Sequence, residues 1–323
     1  MTTAYDRYLD AFAAGFKRDV VQSVSDWADQ YRFLSAVSSA EPGRWRTSRT
    51  PYLRDVMDAL SPESGIQRVV MQAGAQVGKT ECGNNWLGHI IHRTPGPILF
   101  VEPTLDSVKK VSRQRIQPMI ESSPVLAKLV REPRSRDSGN TVQVKAFKGG
   151  LLIMAGANAA SALRSMPIRF LFMDEIDEYP GDLDGQGDPV SIAEKRTSTF
   201  ARRKVFLTST PTVRGVSRIE RYFLASDQRR YFVPCLACNH MDWIQWTPGG
   251  WRGNEGTHHH MVWVGRELDT VRMKCPACGA ETPEGRKPEM LARGEWRATA
   301  VAEEQGTVGF HLSSLYSPLG WRS

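Results

Sequence analysis

The stretch Val69-Val70-Met71-Gln72-Ala73-Gly74-Ala75-Gln76-Val77-Gly78-Lys79-Thr80 decides the fold. Its first three residues are apolar, as in a buried strand, and a helical pattern through Trp86, Leu87 and Ile90 follows it. A strand, a glycine-bearing loop, a Lys-Thr pair and a helix form the context of a P-loop, which binds nucleotide phosphates. The sequence therefore predicts a nucleotide site at this loop.

The chemistry of such a loop depends on a few residue types. Backbone N–H groups and the helix N-terminus face the phosphates, Lys79 places a cation on the β and γ oxygens, and the Thr80 hydroxyl ligates Mg²⁺. The usual spacing places glycine at position 73, where this chain has Ala73 followed by Gly74. A structural turn with a chance Gly-Lys-Thr is the alternative. The predicted ATP-binding residues of the loop are Gly74, Gln76, Val77, Gly78, Lys79 and Thr80.

Two carboxylates follow a second apolar run. Phe170–Met173 has the composition of a buried strand and ends in Asp174-Glu175. In a P-loop enzyme Asp174 would hold Mg²⁺, and Glu175 would polarise the attacking water as a general base. The alternative is that the two acids only cap the next helix. We expect Asp177 and Glu178 to form the solvated start of the next element.

A third apolar run, Val205–Leu207, ends in Thr208-Ser209-Thr210-Pro211. Hydroxyls at such a strand tip can sense the γ-phosphate and couple its loss to movement of a neighbouring segment. They can equally well cap a turn before the proline. Both interpretations stay open, and Thr208, Ser209 and Thr210 are included among the predicted nucleotide-binding residues.

Charge that develops on a transferred phosphoryl group is commonly stabilised by an arginine. Arg164 and Arg169 precede the acidic strand and Arg196 lies on the predicted helix after it, so each is a candidate for this role. Because most arginines are surface residues, a solvated position is the alternative for all three. Tyr52, on an early predicted helix, is the candidate for stacking on adenine, with a packing role as its alternative.

Composition bounds the class of protein. The chain has 323 residues, of which 41% are apolar and 24% charged, so it can build a core and is unlike a disordered or fibrous protein. No run approaches the roughly 20 apolar residues of a membrane helix, so we expect a protein that acts inside the cell and away from membranes. The net charge of +7 is compatible with phosphate-bearing partners but does not prove them.

Short apolar runs separated by turn residues and helical patterns indicate the fold class. Because the runs lack alternation, they are typical of parallel strands covered by helices on both faces. We expect an α/β fold, a P-loop NTPase with a mostly parallel sheet flanked by helices, plus a small C-terminal zinc-ribbon-like module. The predicted strands are Ile66–Met71, Ile98–Val101, Leu151–Met154, Phe170–Met173 and Val205–Leu207.

Apolar residues at helical spacing occur before the predicted strands and between them. They predict helices from Tyr8 to Val24, after Pro51, over Val108–Met119 and over Val190–Phe200. The pattern over Thr307–Leu319 predicts a strand and a turn. The expected domains are an N-terminal helical region (1–60), a P-loop ATPase domain (61–230), and a zinc-ribbon-like module with the start of a linker (231–323).

Four of the five cysteines form two Cys-x-x-Cys pairs, Cys235/Cys238 and Cys275/Cys278. Two such knuckles supply four thiolates, the ligand set of a structural zinc ribbon, although the intervening segment is longer than usual. A redox role is disfavoured because it normally uses one pair on a βα unit. The consecutive histidines 258–260 are expected to be solvated.

These elements together resemble the ATPase part of phage terminase large subunits, in the family typified by the phage lambda packaging protein. The resemblance covers most of the chain. The motifs that carry it, in order, are Gly74–Glu81, Leu163-Arg164-Ser165, Phe172–Pro180, Gly187–Val190, Lys195-Arg196-Thr197, Thr208–Thr212 and the cysteine pairs.

The resemblance implies roles for individual residues. Pro51-Tyr52 would contact adenine, Lys79-Thr80 and the adjoining Glu81 would belong to the Walker A segment, and Asp174-Glu175 would be Walker B and the catalytic glutamate. The segment 208–210 would couple hydrolysis to DNA movement. The implied cofactors are ATP, Mg²⁺ and structural Zn²⁺.

The resemblance also implies partners. Members of this family form a ring on the portal protein of a procapsid in the host cytoplasm, pair with a small terminase subunit and drive double-stranded DNA into the head. They also carry a C-terminal nuclease, and because no acidic cluster follows the cysteine pairs here, we expect that domain to be missing from this chain. A helicase-type nucleic-acid-dependent ATPase and a non-enzymatic zinc-ribbon adaptor are the alternative functions.

Overall fold

The computed structural model describes residues 21–130, 140–164, 166–183, 185–246 and 257–321, together with Thr3, Tyr5, Asp6, Leu9 and Phe12. The repeat that predicts a helix from Tyr8 to Val24 therefore lies largely outside the described residues. In the described part no helix is long and apolar enough to cross a membrane.

Within the described residues, the strands fall into one large sheet and two small ones. In chain order they are β1 (Phe33–Leu34), β2 (Gly43–Arg44), β3 (Arg68–Ala73), β4 (Pro97–Glu102), β5 (Val144–Phe147), β6 (Gly150–Gly156), β7 (Phe170–Asp174), β8 (Lys204–Ser209), β9 (Arg229–Pro234), β10 (Met241–Asp242), β11 (Ile244–Gln245), β12 (His259–Val262), β13 (Arg272–Lys274), β14 (Glu281–Pro283), β15 (Glu295–Arg297) and β16 (Thr307–Leu312).

The helices lie mostly between these strands. They are α1 (Val24–Tyr31), α2 (Leu53–Ala59), α3 (Lys79–Arg93), α4 (Leu105–Val111), α5 (Gln117–Ser122), α6 (Pro124–Ala127), α7 (Ala160–Leu163), α8 (Pro189–Glu194), α9 (Arg218–Leu224) and α10 (Lys287–Ala292). A π-helical turn, Ser112–Ile116, joins α4 to α5, so the helix predicted over Val108–Met119 is interrupted there.

The large sheet has ten strands in the order β10-β9-β16-β3-β8-β7-β4-β6-β5, with β15 paired to β9. The seven strands from β9 to β6 run parallel, and β10, β15 and β5 add antiparallel edges. The expected α/β architecture with a mostly parallel sheet is therefore confirmed. The five predicted strands form β3, β4, β6, β7 and β8 with shifts of one or two residues at their ends.

Apolar cores cover both faces of this sheet. On β3, Val69 and Met71 pack into one core with the helices α1, α2 and α3, whereas Val70 packs into the other with α8 and α9. Every residue of β7 and β8 is buried, which explains why these strands show no alternation in the sequence.

An aromatic stack fixes helix α3 on the sheet. Phe172 lies between Phe100 and Phe206 on the neighbouring strands, with ring centroids 4.4 and 5.2 Å away. Gly83 of α3 lies directly on Phe172, and a Cβ at Gly83 would lie 2.1 Å from that ring. Glycine is therefore required here, and it brings the start of α3 close to the end of β7.

The sheet crosses the boundary expected at residue 230. β16 lies between β3 and β9 and pairs with β3 over its whole length, from Thr307 opposite Arg68 to Leu312 opposite Ala73. The last described strand is thus a central strand of the large sheet. The four-stranded sheet of β11 to β14 is an insertion between β10 and β15.

Candidate functional site

The loop at residues 74–80 connects the end of β3 to the start of α3. Gly78 has a φ of 88°, in the left-handed region that favours glycine, and it immediately precedes Lys79 at the first turn of the helix. The fifteen-residue helix α3 directs its N-terminus towards the loop. Unpaired backbone N–H groups and the helix dipole make this end of α3 suited to an anion.

The position of the first glycine in this loop has a structural reason. The Gly74 amide donates to the Leu312 carbonyl at 2.8 Å, and a Cβ at Gly74 would lie 2.4 Å from Ser314 Oγ. The segment after β16 therefore leaves no space for a side chain at position 74. Ser314 and Ser317 also donate to the carbonyls of Ala75 and Gln76, each at 3.3 Å.

Lys79 contacts residues from two other strand ends. Its ammonium lies 2.9 Å from Glu175 Oε1, after β7, and donates to Thr210 Oγ1 at 2.7 Å, after β8. Because β3, β7 and β8 are parallel, their carboxyl ends meet at one edge of the sheet. The structure thus brings together three residues that the sequence analysis selected separately.

Thr80 and Asp174 form a second contact at the same edge. The Thr80 hydroxyl donates to Asp174 Oδ2 at 2.8 Å. Burial, and then the neighbouring charge of Glu175, raise the pKa of Asp174 to about 6. Two ligands at adjacent corners of an Mg²⁺ octahedron lie about 3 Å apart, so these two oxygens fit that ion.

Glu175 is held in a constrained position. Its φ of 52° is in the left-handed region, where a residue with a side chain is strained. Its Oε2 accepts from the Thr210 amide at 3.1 Å and from the Ser209 hydroxyl at 3.3 Å. Thr208, in contrast, is fully buried, and its hydroxyl has no hydrogen-bond partner among the described residues.

Asp177 corrects one expectation about the residues after β7. Its carboxylate accepts from the Thr212 amide and hydroxyl, both at 2.9 Å, and from the Ile219 amide at 2.7 Å. It therefore ties the segment after β7 to the segment after β8 and to α9, and does not begin a solvated element. Glu178 is exposed, as expected.

Glu81 lies at the centre of a charged group that the sequence analysis missed. Its carboxylate lies 2.9 Å from the buried guanidinium of Arg32 and 3.3 Å from Arg115, and it accepts from Asn84 at 3.0 Å. Arg115 belongs to the π-helical turn between α4 and α5, a type of irregularity frequent at functional sites. Because Arg32 and Arg115 are far from Glu81 in the sequence, no local motif predicts that these three side chains meet.

Glu102 is a second residue near the site that was not predicted from the sequence. It ends β4, next to β7, and burial followed by the charges of Asp174 and Glu175 raises its pKa to about 9. A local signal existed, because Glu102 follows the apolar run Ile98–Val101 just as Asp174 follows Phe170–Met173.

A cavity of about 920 Å³ opens beside the 74–80 loop. Part of its lining comes from the sheet edge and the π-helical turn, including Lys79, Glu175 and Arg115, and the facing part comes from residues 38–50 with Trp321. Glu41 holds that facing part together, since it accepts from Arg49 at 2.7 Å and from the Trp321 indole at 3.0 Å.

Five predicted nucleotide-binding residues do not line this cavity with their side chains, namely Tyr52, Val77, Asp174, Thr208 and Ser209. Val77 is fully buried. Tyr52 is also fully buried, with its ring 6.0 Å from that of Tyr231, so the predicted stacking of Tyr52 on adenine is corrected to a packing role. The physical reason is that Tyr52 immediately precedes α2, which packs into the core.

The three candidate arginines lie apart from Lys79 and Glu175. Arg169 precedes β7 and the Arg196 carbonyl accepts from Ile168, so both lie at the amino end of β7. Five residues of strand, about 16 Å, separate that end from Asp174. Arg164 follows α7, is exposed and does not line the cavity. Within one chain none of the three contacts the cavity.

The four paired cysteines form one cluster. Their sulfurs all lie within 4.8 Å of one another, with Cys235 to Cys278 at 3.7 Å and Cys238 to Cys275 at 3.8 Å. Tetrahedral Zn–S bonds of about 2.3 Å would place sulfurs about 3.8 Å apart, so the cluster fits zinc.

The two halves of the cluster have the same backbone pattern. The Cys235 amide donates to the His240 carbonyl at 2.8 Å, and the Cys275 amide donates to the Ala280 carbonyl at 2.9 Å. Asn239 and Gly279 occupy equivalent positions with φ of 61° and 74°. Each pair is thus a preformed knuckle.

The histidines near this cluster are not solvated, contrary to expectation. His259 is fully buried, with Nε2 3.1 Å from the Val233 carbonyl, and His258 Nδ1 lies 2.9 Å from Asp242 Oδ1. They lie on or beside β12, which turns them into the small sheet.

The family model for the ATPase domain of phage terminase large subunit gpA matches residues 39–296. The chain belongs to this family. Among curated proteins, this terminase-family chain is similar to the terminase large subunit of Enterobacteria phage P21, at 26% identity over 90% of this chain and 47% of the relative. It is also similar to the terminase large subunit of Escherichia phage lambda, at 26% identity over 92% of this chain and 48% of the relative.

The terminase-family chain thus spans about half the length of the curated relatives it matches. Among solved structures, the large terminase ATPase domain of Thermus phage P74-26 aligns with a TM-score of 0.39 and 13% identity, over 79% of this chain and 78% of that one.

Proposed function

We propose that this chain binds and hydrolyses ATP in the cavity beside the 74–80 loop. The observation that carries the proposal is the convergence of Lys79, Glu175 and the Thr80–Asp174 pair at one sheet edge. A cation, a carboxylate and two oxygen ligands at the N-terminus of a helix form the set that phosphoryl transfer needs. The membership in a terminase ATPase-domain family supports the same activity.

In this proposal the 74–80 loop is a P-loop. Its backbone N–H groups and the first turn of α3 hold the phosphates, and Lys79 places its charge on the β and γ oxygens. Thr80 and Asp174 would hold Mg²⁺, which neutralises charge on the transferring phosphoryl group when bound. The cavity residues between positions 38 and 50, together with Trp321, would contact the adenine end of the nucleotide.

Glu175 is the proposed general base. It accepts a proton from a water molecule while the water oxygen bonds to the γ-phosphorus and the bond to the ADP oxygen breaks. The contacts from Ser209 and Thr210 hold the carboxylate in place. Through Asp177 and Thr212, the same strand ends are linked to α9, which gives hydrolysis a path to neighbouring segments.

We propose two arginines for the transferring phosphoryl group. Arg115 lines the cavity of the same chain and is the proposed stabiliser of the transferring phosphoryl group in cis. Arg164 is exposed and follows α7, and we propose it as the arginine that a ring would supply to the site of a neighbouring subunit. Arg169 and Arg196 have no such role in this proposal.

The four-cysteine cluster is proposed to hold one Zn²⁺. The sulfur separations and the two preformed knuckles support zinc, and four thiolates leave no open position for catalysis. Its role would be structural, in a ribbon-like module inserted at the edge of the large sheet.

For the whole protein we propose the function of a terminase motor. ATP hydrolysis would drive double-stranded DNA into a procapsid in the host cytoplasm, with a small terminase subunit and the portal protein as partners and a ring as the working assembly. The family match and the two curated relatives support this proposal.

The proposal is tested by ATP turnover of the purified chain with and without duplex DNA. We expect turnover that Lys79→Ala abolishes, because the cation on the γ-phosphate is lost. The control is Lys110→Ala, an exposed lysine outside the cavity. Undiminished turnover in Lys79→Ala would remove the assignment of this loop.

A further inference from the structure

Seven cationic side chains collect at the edge of the large sheet opposite the cavity. The strands β4, β6, β7 and β8 are parallel and adjacent, and all four begin at this edge. We call the set the basic edge, and each member is exposed or half-exposed. Its residues are Arg93, Lys148, Arg169, Lys195, Arg196, Arg202 and Arg203.

Backbone contacts place these residues side by side. The Arg169 amide donates to the Pro97 carbonyl at 3.1 Å, four residues after Arg93 at the end of α3. The Arg169 carbonyl accepts from Lys204 at 3.1 Å, beside Arg203, and Ile168 donates to the Arg196 carbonyl at 3.0 Å. The turn that carries Lys148 lies next to the same segments. Gly150, two residues after Lys148, is so close to Gly96 that a Cβ at Gly150 would lie 2.4 Å from the Gly96 carbonyl oxygen.

The charge of the basic edge is uncompensated. The segments that build it, 93–97, 145–150, 166–169 and 195–204, contain no aspartate or glutamate. Among the described residues, none of the seven cations has a carboxylate oxygen within 4.0 Å. Seven cations and no acidic residue in the same four segments make this edge locally positive.

Two members of the basic edge, Arg169 and Arg202, repel each other. Burial, and then the charge of Arg202, lower the pKa of Arg169. Like charges held together without counter-ions raise the free energy of the free protein, and binding an anionic partner relieves that cost.

We propose that the basic edge binds the phosphate backbone of duplex DNA. The four strand beginnings span three strand spacings, about 14 Å, which is comparable to the width of the major groove at about 12 Å. Cations at both ends of that span can therefore contact phosphates on both sides of one groove. Five of the seven are arginines, whose planar guanidinium binds phosphate with two parallel hydrogen bonds.

The proposed contacts are to phosphates and therefore independent of base sequence. The surface lies at the amino ends of the strands, whereas the nucleotide cavity lies at their carboxyl ends. DNA binding at the basic edge is a property beyond the proposed ATP hydrolysis, and the two sites can be tested separately.

The test compares two charge-reversed variants of equal net charge. Lys148→Glu with Arg202→Glu changes two exposed residues of the basic edge, and Lys110→Glu with Arg214→Glu changes two exposed residues elsewhere. Affinity for a short duplex is measured by fluorescence anisotropy from about 50 to 200 mM NaCl. Unfolding temperature and affinity for a fluorescent ATP analogue are measured on the same samples.

We expect the basic-edge variant to lose about tenfold or more in DNA affinity and its log–log salt slope to shrink by about 2. The neutral variant Lys148→Gln with Arg202→Gln should show a smaller loss in the same direction. ATP affinity and unfolding temperature should not change, and the control should stay close to the unmodified chain.

Equal losses in both charge-reversed variants would overturn the proposal, since net charge alone would explain them. An unmodified chain that binds ATP but no duplex would also overturn it, while leaving the nucleotide site intact. A chain that binds DNA through the basic edge but binds no ATP would support this surface and refute the proposed function.

Discussion

Lys79 Nζ lies 2.9 Å from Glu175 Oε1, and the two side chains are only 9% and 28% exposed. A phosphate group carries more negative charge than one carboxylate and competes for the same ammonium. In the proposed function Lys79 would turn to a γ-phosphate, and Glu175 would keep its contacts to Ser209 and Thr210 and lose its counter-ion. This ion pair would thus link phosphate binding to the availability of the proposed general base.

The first prediction concerns Glu175→Gln. Glutamine keeps the size, and its single amide oxygen can still accept from the Thr210 amide, but it cannot take a proton. We therefore expect ATP binding to persist and turnover to fall about 10²- to 10⁴-fold. Equilibrium binding and single-turnover hydrolysis measure the two quantities. Glu178→Gln, an exposed acid three residues away, is the control and should change neither. Loss of ATP binding in Glu175→Gln would instead indicate a structural acid.

The second prediction concerns Asp174 and pH. Its pKa is raised to about 6, so protons compete with a metal ion for the carboxylate below that pH. We expect Mn²⁺ affinity, measured by electron paramagnetic resonance, to be constant above about pH 6 and to fall about tenfold per pH unit below it.

Thr80→Val sharpens this test. The Thr80 hydroxyl stabilises the ionised carboxylate, so its removal should move the transition to higher pH and weaken Mn²⁺ binding at every pH. Mn²⁺ affinity that does not change between about pH 5 and 7 would show that Asp174 is not a ligand.

Much of this site follows from local sequence, because each strand that ends at the cavity is a continuous apolar run with its polar residues at the carboxyl end. The runs before Gly74, Asp174 and Thr208 are buried on both faces, and burial of both faces removes alternation. Parallel pairing then brings those ends to one edge without further information.

Other features of the fold and the site depend on long-range contacts that local sequence patterns do not predict. β16 joins the sheet between β3 and β9 although it follows the cysteine cluster in the chain, and its loop is what requires Gly74. Tyrosine is a residue type that is often half-exposed, yet packing against Tyr231 buries Tyr52 fully. Such positions are fixed by long-range packing, which periodicity does not encode.

The third prediction concerns Glu102 and stability. Its pKa is about 9 in the folded chain and about 4.5 for a solvated glutamate in the unfolded chain, so the folded state binds more protons between these values. Stability of the metal-free protein should therefore fall as pH rises from about 4.5 to about 9. Glu102→Gln removes this dependence and should be more stable than the unmodified chain by at least about 1 kcal/mol near pH 8.5.

Urea unfolding in EDTA at several pH values measures that difference. The stabilities of Glu102→Gln and the unmodified chain should converge as pH falls to about 4, because Glu102 then keeps its proton in the folded chain and mostly in the unfolded one. A constant difference across the pH range would mean that the substitution acts through packing and not through charge.

The fourth prediction separates Arg115 from its neighbour Arg113. Both belong to the π-helical turn, but only Arg115 lines the cavity, at 3.3 Å from Glu81. If Arg115 stabilises the transferring phosphoryl group, Arg115→Ala should lower kcat by about 10³-fold or more with little change in KM. Arg113→Ala should leave both constants near their starting values. Equal effects of the two changes would point to the helix and not to the guanidinium.

The last prediction concerns the cysteine cluster. Metal analysis should find one zinc per chain, and Cys275→Ser should lose it, because three thiolates and a hydroxyl bind the ion less tightly than four thiolates. Cys82→Ala is the control, since Cys82 is a buried cysteine outside the cluster. Because the knuckles join β9 and β10 at one edge of the large sheet to β13 and β14, zinc loss should also lower the unfolding temperature of the chain. A zinc-free chain that unfolds at the same temperature as the loaded one would contradict a structural role.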